Sequence, residues 1–153
     1  MDWKTCCVDA VRRGKILEPP AFYAPATPAQ LNEVEQTLGA KLPGDLAALL
    51  RQTNGLRTGD APRGAFLVLD CEHILKAHAA HLEFLQLAGF AHTPPYLFFS
   101  DNGCGEHFGY EIEKGAVPHS RIGVYYPIEN AFRIVAGDLE EWLSRWAAGA
   151  LNT

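Results

Sequence analysis

The sequence lacks any apolar run of the roughly 20 residues that a membrane-spanning helix requires, so we expect no membrane partner. It also lacks the features of a secretory signal. The first seven residues, Met1–Cys7, show neither a basic start nor an apolar stretch. Together, these two absences predict a cytoplasmic protein.

Cysteine is scarce and lacks the spacing of a binding site. The four cysteines (Cys6, Cys7, Cys71 and Cys104) form neither a CxxC pair nor a Cys/His ladder with zinc spacing. In a reducing cytoplasm this pattern predicts free thiols. We therefore expect no structural metal and no cofactor held by cysteine.

Basic residues are also few. The chain has 13 Lys and Arg against 18 Asp and Glu, a formal net charge of −5. From residue 101 onward eight acids face four bases, so 8 − 4 = 4 of the five net negative charges fall in the last third. This charge repels phosphate backbones and attracts basic surfaces. It predicts no nucleic-acid binding and allows a basic protein partner.

The first 55 residues predict three helices. One spans Trp3–Arg13. The second begins with a capping box at Thr27 and ends at Gly39. The third starts after Pro43 and ends at Asn54-Gly55. Because about four residues join the second and third helices, we expect these two to pack as a hairpin.

The rest of the chain predicts mostly strands. Apolar runs indicate strands over 65–69, 96–99, 107–112, 122–126 and 132–135. A helix over 71–88 should turn Ile74, Leu75, Leu82 and Leu85 toward the core, and Asp138 should cap a last helix. No βαβ alternation recurs. We therefore predict an α+β fold, a largely antiparallel central sheet with helices packed on it, in a single domain over 1–153.

Two local groups could carry chemistry. Cys104 and His107 could form a nucleophile–base pair, although the glycines of this segment more simply predict a tight turn between strands. His78 and His81 could share a helix face and hold a metal ion with His107, but half-buried or surface histidines are the simpler interpretation. We assign no catalytic residue and no metal ligand.

Four motifs, in order, resemble the SUKH superfamily of Smi/Knr-type proteins. They are the helix of residues 26–39 ending in Leu-Gly, the Leu42-Pro43-Gly44-Asp45 helix start, Asn54-Gly55, and the glycine-rich turn over 98–110 followed by a strand-to-helix passage over 134–143. The resemblance covers about 24–146 and leaves 1–23 as an unassigned extension. Cys104 and Leu56 stand where glycine is common in the family.

The resemblance implies a SUKH-like α+β fold without catalytic residues. For bacterial members it implies a cytoplasmic immunity protein that neutralises a polymorphic toxin by direct binding; for fungal members it implies a regulatory or scaffolding module. If the toxin is a basic nuclease-type domain, acidic side chains would complement it. Our candidate partner-binding residues are Asp101, Glu106, Glu111, Glu113 and Glu129. The sequence leaves the oligomeric state open.

Overall fold

The computed structural model describes residues 1–14, 19–58 and 66–151. In chain order it contains α1 (Trp3–Arg13), β1 (Ala21–Phe22), α2 (Pro28–Leu38), α3 (Gly44–Gln52), β2 (Leu56–Arg57), α4 (Cys71–Leu87), β3 (Tyr96–Asp101), β4 (His107–Glu111), β5 (Ile122–Tyr126), β6 (Ala131–Ala136) and α5 (Leu139–Ala147). None of the helices in these ranges combines the length and the apolar character that a membrane span needs.

The central sheet is an antiparallel meander. Its four strands follow one another in the order β3-β4-β5-β6, and every neighbouring pair is antiparallel. A second sheet of two short antiparallel strands, β1 and β2, lies apart from it. The predicted α+β class with a largely antiparallel sheet is therefore confirmed. The small second sheet was not predicted, because strands of two residues carry no readable alternation.

Most helix boundaries follow the local signals in the sequence. Thr27 accepts a hydrogen bond from the backbone N–H of Gln30 at 3.1 Å, and the Gln30 side chain accepts one from the N–H of Thr27 at 2.9 Å. This is the predicted capping box. Gly39 ends α2 in the left-handed region at φ 68°, where glycine carries no Cβ penalty. Asp138 caps α5 by accepting from the N–H of Glu141 at 2.8 Å.

Two expectations about packing were wrong. The described part of segment 65–69 makes only an isolated bridge, between Leu56 and Val68, since the N–H groups of Leu67 and Val68 both donate to the Leu56 carbonyl. The segment is buried, as its composition predicts, but it forms no ladder. Residue 65 lies outside the described ranges. The predicted α2–α3 hairpin is not a main packing contact of the described residues: α2 packs chiefly on α4, and α3 packs chiefly on α1.

Helix α1, in the N-terminal extension, belongs to the core. In α1, Trp3, Cys7 and Ala10 are buried within the main apolar cluster, and the helix packs against α5 and α3. The side-chain oxygen of Gln52 accepts from the Trp3 backbone N–H at 2.7 Å. Burial raises the pKa of the Cys7 thiol to about 12, so this group stays protonated. All four cysteines are free, as expected.

Asp45 joins three elements through one carboxylate. Its Oδ1 accepts from the N–H of Leu46 at 2.7 Å and from the Tyr110 hydroxyl of β4 at 3.2 Å. Its Oδ2 accepts from the N–H of Leu139, the first residue of α5, at 3.3 Å. The negative charge therefore lies near the N-termini of both α3 and α5, where helix dipoles favour it. The aspartate of the predicted helix start is thus also a tertiary link.

Candidate functional site

The two faces of the sheet carry different chemistry. Side chains alternate across a strand. Phe99 and Tyr110 point into the main core, where Phe99 lies edge-on to the fully buried Trp142. The opposite side, which we call the aromatic face, carries Tyr96, Phe98, His107, Tyr125 and Phe132, which contact one another as rings.

Two glycines make room for these rings. Gly109 of β4 and Gly123 of β5 lie directly opposite each other in the strand register. A Cβ at Gly109 would collide with the Leu97 carbonyl, and a Cβ at Gly123 would collide with the Phe132 ring. The aromatic face therefore depends on the absence of side chains at both positions. The sequence does not predict that the two glycines lie side by side, because this depends on the register of the strands.

Helix α4 covers part of the aromatic face with histidine. We predicted that Leu82 would point inward, but its side chain is 45% exposed, whereas His78 and His81 are each only 5% exposed. The inward positions of α4 are Cys71, Ile74, His78, His81 and Leu85, which recur every three or four residues. The expectation of half-buried or surface histidines was therefore wrong for His78 and His81. Because histidine is polar, the sequence pattern did not identify these two positions as part of the buried face of α4.

A pocket of about 240 Å³ remains between α4 and the aromatic face. We call it the α4 pocket. Its walls come from α4, β3, β4, β5 and the turns that follow or precede these strands, and they are Ala77, Ala80, His81, Phe84, Phe98, Gly105, His107, Tyr125 and Pro127. The His81 ring lies 4.8 Å from the Phe98 ring and 5.0 Å from the Tyr125 ring, edge-on to both. The walls are thus mostly apolar and aromatic.

The buried histidines are held neutral. Nδ1 of His78 and Nε2 of His81 are buried without a hydrogen-bond partner. Burial lowers the pKa of His81 to about 4, and the neighbouring His78 and His107 act in the same direction. Burial likewise lowers the pKa of His107, although Asp101 and Glu106 partly oppose this shift. At neutral pH the α4 pocket therefore carries no positive charge on these rings.

The β3–β4 turn has the geometry that its composition predicts. Oδ1 of Asn102 accepts from the N–H of Cys104 at 2.9 Å, and Oδ1 of Asp101 accepts from the N–H of Gly103 at 2.8 Å. Gly103 and Gly105 have φ of 75° and 97°, in the region that favours glycine. The prediction of a tight turn is confirmed.

The alternative interpretations of this region gain no geometric support. In the described part of the chain no hydrogen bond joins Cys104, which is exposed, to His107. The only described group of three side chains whose ligand atoms lie within 4.8 Å of one another is Asp70, Glu72 and His73, so His78, His81 and His107 do not form one. Oδ1 of Asp70 accepts from both the backbone N–H and Nδ1 of His73, at 2.8 and 2.7 Å. That carboxylate caps α4.

A second hollow, of about 380 Å³, lies beside the edge strand β6. Two of its backbone groups already have partners within the chain. Arg145 donates to the carbonyl of Val135 at 3.2 Å, and Glu141 accepts from the N–H of Gly137 at 2.5 Å. These α5 side chains form hydrogen bonds with backbone groups that an added strand would need for pairing with β6. The α4 pocket is therefore the better candidate site.

One family model matches most of the chain. The model of the SMI1/KNR4 family (SUKH-1) matches residues 25–145. The chain belongs to this family. A search of curated proteins finds no match. The SUKH-1 family includes both immunity proteins and Knr4-like proteins, so membership alone does not choose between these two functions. Helix α1 precedes the matched SUKH-1 region, yet it packs into the same core.

The five acidic candidates of this SUKH-1 protein fall at two ends of the sheet. The register pairs Asp101 with His107 and His107 with Tyr125, so the β3–β4 and β5–β6 turns lie at one end. Asp101, Glu106 and Glu129 belong to this end, which we call the acidic end. The other two acids lie at the far end of β4: Glu111 is its last residue, about 17 Å from Glu106 along five residues, and Glu113 follows the strand.

The two groups also differ in their partners. Glu111 accepts from Nε of Arg121 at 2.8 Å, so its charge is already paired. Glu129 is exposed in the β5–β6 turn. The structure therefore brings three of the five predicted partner-binding residues together and leaves two apart. The sequence did not predict the pocket beside the three.

Proposed function

We propose that the protein is an immunity protein that binds a bacterial toxin effector directly and thereby neutralises it. The observation that carries this proposal is the acidic end of the sheet in a member of the SUKH-1 family. There Asp101, Glu106 and Glu129 adjoin an apolar pocket. An apolar centre with charged surroundings is the usual anatomy of a protein–protein interface.

We propose that the protein acts by binding its partner and not by catalysis. A cysteine nucleophile requires a base within hydrogen-bond reach, and Cys104 has no hydrogen bond to His107 among the described residues. The pocket next to them is lined mainly by carbon atoms, so it offers little to a charged transition state. A Cys104→Ala variant should protect cells as well as the natural protein. Lost protection with the fold intact would favour an enzyme.

The partner we propose is a toxin with a basic surface. The net charge of −5 favours rapid association with such a surface, as do the acids of the acidic end, none of which has an ion pair among the described residues. No nucleic acid and no cofactor takes part in the proposed activity. We propose that binding occurs in the cytoplasm, where a delivered effector would act.

Charge reversal at the two ends of the sheet tests this placement. The effector captured by the tagged chain would be expressed with each variant, and cell survival would be measured. Glu106→Lys with Glu129→Lys should abolish survival. Glu111→Lys with Glu113→Lys, the matched pair at the other end, should leave it unchanged. Equal survival with both pairs would contradict the proposed interface.

The family also includes Knr4-like proteins, so a regulatory or scaffolding module is the second candidate. Recovery of several housekeeping proteins with the tagged chain, in fixed amounts and without any effector, would favour it. Protection against one toxin, with formation of a stoichiometric complex, would exclude it.

A further inference from the structure

The size of the α4 pocket matches one side chain. Its volume of about 240 Å³ is below the range of roughly 300 to 1,000 Å³ for drug-sized ligands. It would hold about eight waters at 30 Å³ each. Water in such an apolar hollow finds few partners, so a single large side chain is the better occupant.

The walls favour an aromatic occupant. Phe98 and Tyr125 contribute ring surfaces, and Ala77, Ala80 and Pro127 leave space between them. Offset and edge-to-face ring pairs add to the stabilisation that area alone provides. Tryptophan and tyrosine fit these walls best, because each combines a large ring with an N–H or O–H group that can remain at the wet mouth of the pocket.

The mouth of the pocket favours a basic surface around that side chain. Asp101 and Glu106 lie close enough to His107 to oppose the lowering of its pKa. Across the mouth, Ile128 is 89% exposed beside the wall residue Pro127 and next to Glu129. A second copy of this chain would bring a net charge of −5 to the same acids, so we disfavour self-association here.

The pocket is also held in shape before binding. The Tyr125 hydroxyl donates to Oδ1 of Asn130 at 2.7 Å, and Nδ2 of Asn130 donates to the Thr93 hydroxyl at 3.1 Å. These bonds fix the β5–β6 turn that forms one side of the mouth. A site that needs no rearrangement avoids part of the entropic cost of binding.

We propose that the α4 pocket receives one tryptophan or tyrosine side chain that projects from a basic surface of the protein partner. This inference rests on the proposed function, since it names the place where the partner docks. The aromatic side chain acts as the anchor, and the acidic end contacts the basic residues around it.

A pair of neighbouring alanines provides the variants. Ala80 and Ala79 are both exposed on α4, but only Ala80 lines the pocket. Ala80→Trp should fill the mouth, whereas Ala79→Trp adds the same side chain to solvent. Because neither position is buried, both variants should fold. Unchanged thermal unfolding would confirm this.

The probe is a capped peptide with one tryptophan between two pairs of lysines. Titration into the ¹⁵N-labelled protein should shift the amides of Gly105 and His107, with a Kd of about 1 mM or below. Alanine in place of the tryptophan should weaken binding at least about tenfold. Ala80→Trp should weaken it similarly, and Ala79→Trp should leave it unchanged.

Three outcomes of the peptide titration would overturn the inference. They are the absence of saturable shifts, equal binding of the alanine peptide, and binding by Ala80→Trp that equals the natural protein. A dimer of the natural chain that Ala80→Trp dissolves would also overturn it, in favour of a second copy as occupant. The peptide assay involves no toxin. Failure of the immunity proposal would therefore appear separately, as lack of protection by a protein whose pocket binds the peptide.

Discussion

His81 should make the stability of this protein depend on pH. Its side chain is 5% exposed, and burial lowers its pKa from 6.5 to about 4. Between these two values the unfolded chain takes up a proton that the folded protein excludes. Stability should therefore fall as the pH decreases from 6.5 to about 4.

The size of the effect follows from the two pKa values. At pH 7.5 both states are neutral at His81, and the contribution is close to zero. At pH 5 the unfolded state is almost fully protonated and the folded state is not, which costs about 2 kcal/mol. The lowered pKa values of His78 and His107 act in the same direction.

Urea unfolding of the natural protein and of His81→Phe would isolate this contribution. The buried Trp142 provides the fluorescence signal, and phenylalanine can keep the ring contacts with Phe98 and Tyr125. Between pH 7.5 and 5 the natural protein should lose about 2 kcal/mol more stability than the variant. His119→Asn, at an exposed position, serves as the control and should follow the natural protein. Parallel pH profiles of the natural protein and His81→Phe would refute the reasoning.

Three further substitutions test the packing that supports the site. Asp45→Ala should cost about 1 to 3 kcal/mol of unfolding free energy, because it leaves the buried hydroxyl bonded to it without a partner; the exposed Asp9→Ala should cost far less. Gly109→Ala should destabilise the protein by about 1 to 3 kcal/mol, since the added Cβ would collide with backbone atoms. In the control Gly44→Ala, at a helix start, the added Cβ lies in open space, so stability should stay the same or rise. Thr27→Ala should cost about 1 kcal/mol through the lost capping box. Urea unfolding measures all three, and an Asp45→Ala protein as stable as Asp9→Ala would contradict the tertiary role of that carboxylate.

Local signals in the sequence predicted most elements. The capping box at Thr27, the left-handed Gly39 and the cap at Asp138 each act within a few residues, so they are readable without tertiary context. The buried face of α5 was also predicted from the sequence, because Leu139, Trp142 and Leu143 are apolar at helical spacing; the structure buries all three. These elements show where local chemistry is sufficient to set the structure.

The site was harder to predict, because long-range contacts define it. The pattern of α4 favoured Leu82 as a core residue, whereas the structure buries His78 and His81 and packs the His81 ring against the aromatic face. Gly109 and Gly123 matter only once the register places them side by side. The grouping of Asp101, Glu106 and Glu129 likewise depends on which turns share an end of the sheet, and the sequence gives only their charge.

The direct measurement of the central claim is inhibition of the toxin by the purified protein. The effector captured by the tagged chain would be assayed with increasing amounts of the chain, and the complex would be sized by light scattering. We predict complete inhibition at one equivalent of the chain and a stable complex of defined stoichiometry. Full toxin activity in the presence of excess folded chain would contradict the account.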